Sequence, residues 1–421
     1  MLTPTGVTVA EYNTALSEGP LTHARITYII DNVSFTDSEI SQDGLQLSTY
    51  MNPDESMRFG VAYSDEIIVH LLRSEKTDSL NFANEFTLEM GVDINGTTNW
   101  VMIGHFIGKK VTYLMGGIVE LLAYDKMCKF DTVSWDDFVT SLTFPMTLGS
   151  IYNALCAFVA VDNVAGDEIA DVMARSVTSI PEGPDKTCRD MLATIAEANG
   201  CYAKMTSDGS LKLEWFHDHT SDQEMLLNQC FAYEYVKLEK NYSKKWLVLE
   251  GTKWKDLESV QWSQYDNNSN PTAFTYIRSV WEEQHKEVIQ PERDEFFNHR
   301  LWANAENYQW KNLEQMKWRD FEIADDVSGE TYTIYDNPFI LYGTDAEIKT
   351  HLQLILDRLY LFHLYYVATV TMVGNWLVEP GDIVTLEIED GVYTQYPVFN
   401  RIIRWNGYCE CDYETTGSLS G

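Results

Sequence analysis

Five apolar segments crowd the first 125 residues: 24–30 (ARITYII), 66–72 (EIIVHLL), 85–92 (EFTLEMGV), 100–114 (WVMIGHFIGKKVTYL) and 116–124 (GGIVELLAY). Each is rich in β-branched and aromatic side chains, which fit a pleated, half-buried surface. Turn signals separate them, among them Asp93-Ile94-Asn95-Gly96 and Gly116-Gly117. Strands this frequent, with turns between, predict a sandwich or barrel.

The pattern changes after Asp131. Leu148, Ile151, Leu155, Phe158 and Val159 recur at helical spacing. Thr187-x-x-Asp190 opens a second helix like a capping box, with Asp in place of Glu, and Cys188, Met191, Leu192, Ile195 and Ala196 form its apolar face. Asn199-Gly200 closes it, because both residues tolerate the left-handed geometry beyond a helix end. Ser207-Asp208-Gly209-Ser210 then sits between two short strand patterns as a hairpin turn. Strands resume from Phe231. Residues 252–325 are polar and hold Trp254, Trp262, Trp281, Trp302, Trp310 and Trp318. A strand ends in a turn at Asn337-Pro338. The capping box Thr344-x-x-Glu347 starts a helix with the stripe Ile348, Leu352, Ile355, Leu359 and Phe362. The last strands include one that follows Pro380-Gly381-Asp382.

The fold is therefore expected to be mainly β with an α+β part. A first β domain spans 1–131, a small α+β domain 132–228, a second β domain 229–251 and 326–421, and a Trp-rich accessory insertion 252–325. Two β units of similar weight suggest an internal duplication.

Charge narrows the partners. The chain has 64 Asp and Glu against 30 Lys and Arg, a net −34. Such a surface lacks the basic footprint of a specific nucleic-acid binder and repels anionic lipid. The N-terminal residues carry no basic, apolar leader pattern. The stretch 359–378 contains His363 and Asn375 and runs into Pro380, so it reads as a helix end and a buried strand instead of a membrane span. Seven scattered cysteines form no disulfide framework and fit free thiols in a reducing cytosol.

No catalytic, cofactor-binding or metal-binding constellation stands out. His217-Asp218-His219 places two imidazoles on one side of an extended segment, but a solvated strand end explains it more simply. Cys409-x-Cys411 would face one side of a strand with no further ligands signalled nearby. Adjacent carboxylates such as Asp325-Asp326 and Glu282-Glu283 arise by chance among so many acids. No nucleophile elbow, zinc-protease, phosphate-loop or dinucleotide motif occurs. The sequon at Asn95 is uninformative without a secretory signal. The Trp-rich segment is read as packing before glycan binding.

Three blocks resemble the tail hub proteins of bacteriophages. The first, 103–131, contains the turn Ala123-Tyr124-Asp125-x-Met127-x-Lys129 and looks like the end of that family's first tube domain. The second, 187–216, resembles its helix–hairpin segment, and the third, 376–407, its C-terminal strands. Phe130 and Cys188 depart from the family's commoner residues without touching a functional group. The resemblance covers about half the chain, weakly over 1–60 and not at all over 252–325.

The resemblance implies two tube-type β-barrel domains per chain and a homotrimer in which they alternate around a ring. That ring would adapt a six-fold tail tube to a three-fold tip and form part of the DNA conduit. Expected neighbours are a distal tail or tail tube protein, a tape measure protein and tip or fibre proteins. The location implied is the virion tail tip, after synthesis in the host cytoplasm. Tyr124-Asp125 would then be the exit from the first tube domain. The rival readings are a tail-associated peptidoglycan hydrolase, for which the chain leaves no room past the second tube domain, and a host-glycan or receptor-binding protein.

Overall fold

The computed structural model describes residues 1–18, 24–51, 58–181, 183, 185–218, 224–225, 230–236, 274–280, 321–324, 330–335, 337–340, 344–360, 367–389 and 391–414. Contacts divide the chain into two compact units. One comprises 1–174, 178–237 and 365–420, and the other 175–177 and 238–364.

The first unit is built on an eleven-stranded antiparallel sheet. Its first half consists of β1 (Ala24–Ile30), β2 (Val33–Thr36), β3 (Ile40–Tyr50), β4 (Glu66–Leu72), β5 (Glu85–Ile94), β6 (Thr97–Leu114) and β7 (Ile118–Asp125). They lie in the order β2-β1-β5-β6-β7-β4-β3, and the sheet continues through Asn400–Trp405, Cys409–Glu414, Val367–Val373 and Cys230–Val236. The seam between the halves pairs Ile403 with Leu47 and Trp405 with Leu45. The fold is thus mainly β, with helices against it.

Period-2 alternation explains this sheet. In β7, Val119, Leu121 and Ala123 are buried while Ile118, Glu120 and Leu122 are half-exposed. The same phase holds in β4 for Ile67, Val69 and Leu71, and in the last strands for Ile403, Trp405, Cys411 and Tyr413. These residues share one core.

The helix Val9–Glu18 has no counterpart among the expected elements. It starts from a reciprocal box: the Thr8 N–H and hydroxyl donate to Glu11 Oε2 at 2.9 and 2.8 Å, and the Glu11 N–H donates to Thr8 Oγ1 at 3.2 Å. Tyr12 and Leu16 enter the core, and Trp376 Nε1 donates to the Tyr12 hydroxyl at 2.9 Å. Strands β2 and β3 also fall outside the five apolar segments, because Ser, Gln, Asp and Gly dilute their alternation.

A smaller sheet in this unit centres on Asp382–Glu389. Val392–Pro397 pairs with it antiparallel, and the short His217–Asp218 and Glu224–Met225 pair with it in parallel. The helices Leu148–Phe158 and Cys188–Ala198 and the hairpin Tyr202–Met205 with Leu211–Glu214 complete the unit.

The second unit contains the strands Phe274–Val280, Phe321–Ala324 and Glu330–Tyr335 and the helix Asp345–Tyr360, whose Ile348, Leu352 and Ile355 are buried. The six tryptophans of 252–325, the carboxylate pairs 282–283 and 325–326, His219, Phe362 and the Leu359 side chain lie outside the described residues.

Candidate functional site

The turn residues picked out in the sequence occupy strand exits, caps and tight turns. Tyr124 is the last residue but one of β7, and its hydroxyl donates to Glu66 Oε2 at 2.9 Å. Asp125 follows, 4% exposed, and caps the short 3-10 helix Lys126–Thr132 by accepting the Met127 N–H at 3.0 Å. Thr187 and Asp190 form the reciprocal box that starts the helix Cys188–Ala198, with the Thr187 N–H donating to Asp190 Oδ2 at 2.7 Å. Asn199 caps its far end: the side chain donates to the Ile195 carbonyl at 2.9 Å and accepts the Ile169 N–H at 3.0 Å. Gly200 follows at φ 58°, in the left-handed region. Asp208 accepts the Ser210 N–H and the Thr206 hydroxyl, beside Gly209 at φ 78°.

In the second unit, Asn337 Oδ1 accepts the Phe339 N–H at 3.0 Å around the turn at Pro338. Thr344 and Glu347 close a capping box, with N–H and hydroxyl donated to Glu347 at 2.7 and 2.8 Å.

The first unit brings several of these positions together in a cluster of buried ions. Pro380 and Gly381 turn the chain into the strand that starts at Asp382. The Glu379 N–H donates to Asp382 Oδ2 at 2.8 Å, and the Met1 amine donates to Asp382 Oδ1 at 2.7 Å. Lys204 reaches in from the hairpin, donating to the Pro380 carbonyl at 2.8 Å and pairing with Glu214 at 3.3 Å and Glu379 at 3.6 Å. Burial pushes the Lys204 ammonium down, but these carboxylates outweigh it and hold its pKa above the usual value. Burial likewise works against ionised Glu379, and Lys204, the Met1 amine and Arg401 hold it below the usual range. Arg401, 2% exposed, donates to the carbonyls of Trp376 and Val378 at 3.0 and 2.7 Å.

On the other side Arg189 ties the helix Cys188–Ala198 to the strand exit. It donates to the Ala62 carbonyl at 2.9 Å, Ser64 Oγ at 2.7 Å and the Met127 carbonyl at 3.2 Å, and pairs with Asp131 at 2.5 Å. The Asp125 N–H donates to the Asp65 carbonyl at 3.1 Å. Burial raises Asp65 to about 7, against the pull of Arg401 and Lys204. Burial, reinforced by Asp65, drives Asp125 well above the carboxylate range.

Sequence reading missed Asp65, Arg189, Lys204, Glu214, Glu379 and Arg401. One signal was available: Arg401 stands in phase with Ile403 and Trp405, the inward positions of its strand.

Among the described residues no group of three or more His, Cys, Asp or Glu could hold a metal ion. His217 Nε2 pairs with Asp167 at 2.9 Å, and that contact raises the imidazole pKa. Cys409 and Cys411 lie on one face of their strand, buried, with Sγ atoms 3.8 Å apart. No helix among the described residues is long and apolar enough to cross a membrane.

The sheet's other face is acidic. Cross-strand registers place Glu66, Glu85, Glu89, Asp93, Glu120, Glu410, Asp412 and Glu414 on it, with Arg25, Lys110 and Arg404 as the Lys and Arg residues of the same rows. Arg25 pairs with Asp93, and Arg404 with Asp412 and Glu410. Two histidines on this face pair with acids, His70 with Glu120 and His105 with Glu85.

No family model and no curated protein matches the chain. Solved structures do. The tail protein from Neisseria meningitidis MC58 matches with a TM-score of 0.51 at 10% identity, over 94% of this chain and 99% of that one. The 43 kDa tail protein of prophage MuSo2 from Shewanella oneidensis matches with 0.49 at 10%, over 94% and 98%. The prophage tail protein gp18 from Listeria monocytogenes EGD-e matches with 0.46 at 10%, over 94% and 94%. The likeness is one of fold.

Proposed function

We propose that the chain is a structural, non-enzymatic protein of a phage tail or related injection apparatus, the hub at the tail tip. The observation that carries this reading is the fold shared with the Neisseria tail protein along nearly the whole of both chains. In this reading 1–131 is the first tube-type domain, 132–228 an α+β domain, and 229–251 with 326–421 the second tube-type domain. The seam between β3 and Asn400–Trp405 supports it, since one sheet joins strands of both tube-type domains edge to edge. Three copies would alternate these domains around a ring, stacked on a tail tube or distal tail protein, with tape measure and tip proteins as further neighbours.

The acidic sheet face supports a conduit wall. DNA passing such a wall meets repulsion, whereas unpaired Lys or Arg would release counterions and hold it. Electron microscopy of the purified protein tests the arrangement. A three-fold ring with the acidic face inward is expected, and a ring with that face outward would overturn the conduit reading.

A further inference from the structure

The large sheet repeats one four-strand pattern. In its first half β3, β4, β7 and β6 lie side by side, and β6 and β7 form a hairpin. In its second half Cys230–Val236, Val367–Val373, Cys409–Glu414 and Asn400–Trp405 lie in the same order, and the last two again form a hairpin. Every one of these pairings is antiparallel. The seam joins the fourth strand of the second set, Asn400–Trp405, to the first strand of the first set, β3.

Two strands of the pattern are left without the equivalent neighbour. Cys230–Val236 ends the sheet and pairs with Val367–Val373 on one side. The other is β6. Its pairing with β5 stops where Ile107 meets Glu85. Past an irregularity between Gly108 and Lys110 it runs on to Leu114, with β7 as its one strand neighbour among the described residues. A bulge bends its strand, which parts this stretch from the line of β5. Lys109, Lys110, Tyr113 and Leu114 are exposed along it, and Met115 at the hairpin tip is 97% exposed. An open edge with exposed apolar side chains is a template for a further strand.

We infer that the edge Lys110–Leu114 of one copy pairs with the strand Cys230–Val236 of the next, repeating between chains the seam that each chain makes within itself. The contact rests on the trimeric reading and names what closes the ring. Its two edges differ, so it is heterologous, and a heterologous contact generates a ring when its rotation closes. The register carries over from the seam. Tyr124 and Glu414 stand at corresponding strand ends, the first between Glu66 and Ile107, the second between Thr369 and Asn400. On that match Ser48 corresponds to Glu234, Leu47 to Tyr233, Ile402 to Lys110 and Ile403 to Val111. The seam pairs Ile402 with Ser48 and Ile403 with Leu47. The contact between copies therefore sets Lys110 opposite Glu234 of the next copy, and Val111 opposite its Tyr233. Opposite charges directly across a ladder favour this register.

The double variant Lys110→Cys with Glu234→Cys tests the pairing. Under mild oxidation it should give a covalent trimer on a non-reducing gel, and each single variant should stay unlinked. The six described native cysteines are buried and stay out of the reaction. Native mass spectrometry of the same samples separates this contact from the trimer itself. Trimers without the cross-link would overturn the strand pairing and leave the trimer standing, and a chain that forms no trimer would overturn both. Should the variant not fold, hydrogen exchange on the parent decides. Exchange at 110–114 should slow as rising concentration drives assembly, and trimers that exchange there as fast as the monomer would overturn the pairing.

Discussion

The N–H of Asp125 donates to the carbonyl of Asp65 at 3.1 Å, so the last residue of β7 is fastened to the residue before β4. The two strands pair from Glu66 with Tyr124 to Leu72 with Ile118, and this bond extends their ladder by one step into the exit. The Asp125 carboxyl then caps the next turn. One residue thus ends a strand and starts the chain's departure from the sheet.

Asp125→Ala should lower stability by about 0.5–2 kcal/mol, the usual loss on removing such a cap. Thermal melts of the purified variant check this, and an unchanged melt would mean that the cap contributes nothing.

Gly381→Val should be worse. Gly381 has φ +100°, and a Cβ there would lie 3.3 Å from Met51 Sδ and 3.5 Å from Glu214 Cδ. A β-branched residue in that conformation is strained by about 1–3 kcal/mol before any contact is counted. Denaturant titration beside Asp125→Ala gives the comparison, and a milder effect than Asp125→Ala would refute the ranking.

The strands were legible because apolar residues alternate in them, and the caps because Thr187-x-x-Asp190 and Thr344-x-x-Glu347 are local signals. Thr8-x-x-Glu11 is equally local, yet the helix it starts places only Tyr12 and Leu16 in the core, too few for a visible stripe. The ion cluster was not legible. Lys204 and Glu214 look like ordinary strand charges until the hairpin is set against Pro380, and Asp65 and Arg401 meet only because the chain's two ends share one sheet.

Arg401→Met should cost about 1–3 kcal/mol, because it leaves the buried Trp376 and Val378 carbonyls without their donor and removes one of the cations near Glu379. Urea unfolding measures it. A loss under about 1 kcal/mol would place Arg401 outside the cluster's energetics.

Duplex DNA should not be retained by the purified protein even at low salt, where any basic groove binds most strongly. Filter binding or electrophoretic shift checks this, and salt-sensitive retention would contradict an acidic wall.

The mass of the purified chain in solution tests the proposed trimeric hub. Light scattering or native mass spectrometry over a range of concentrations should show a species of three 48.3 kDa chains at the upper end. A stable dimer would contradict the ring.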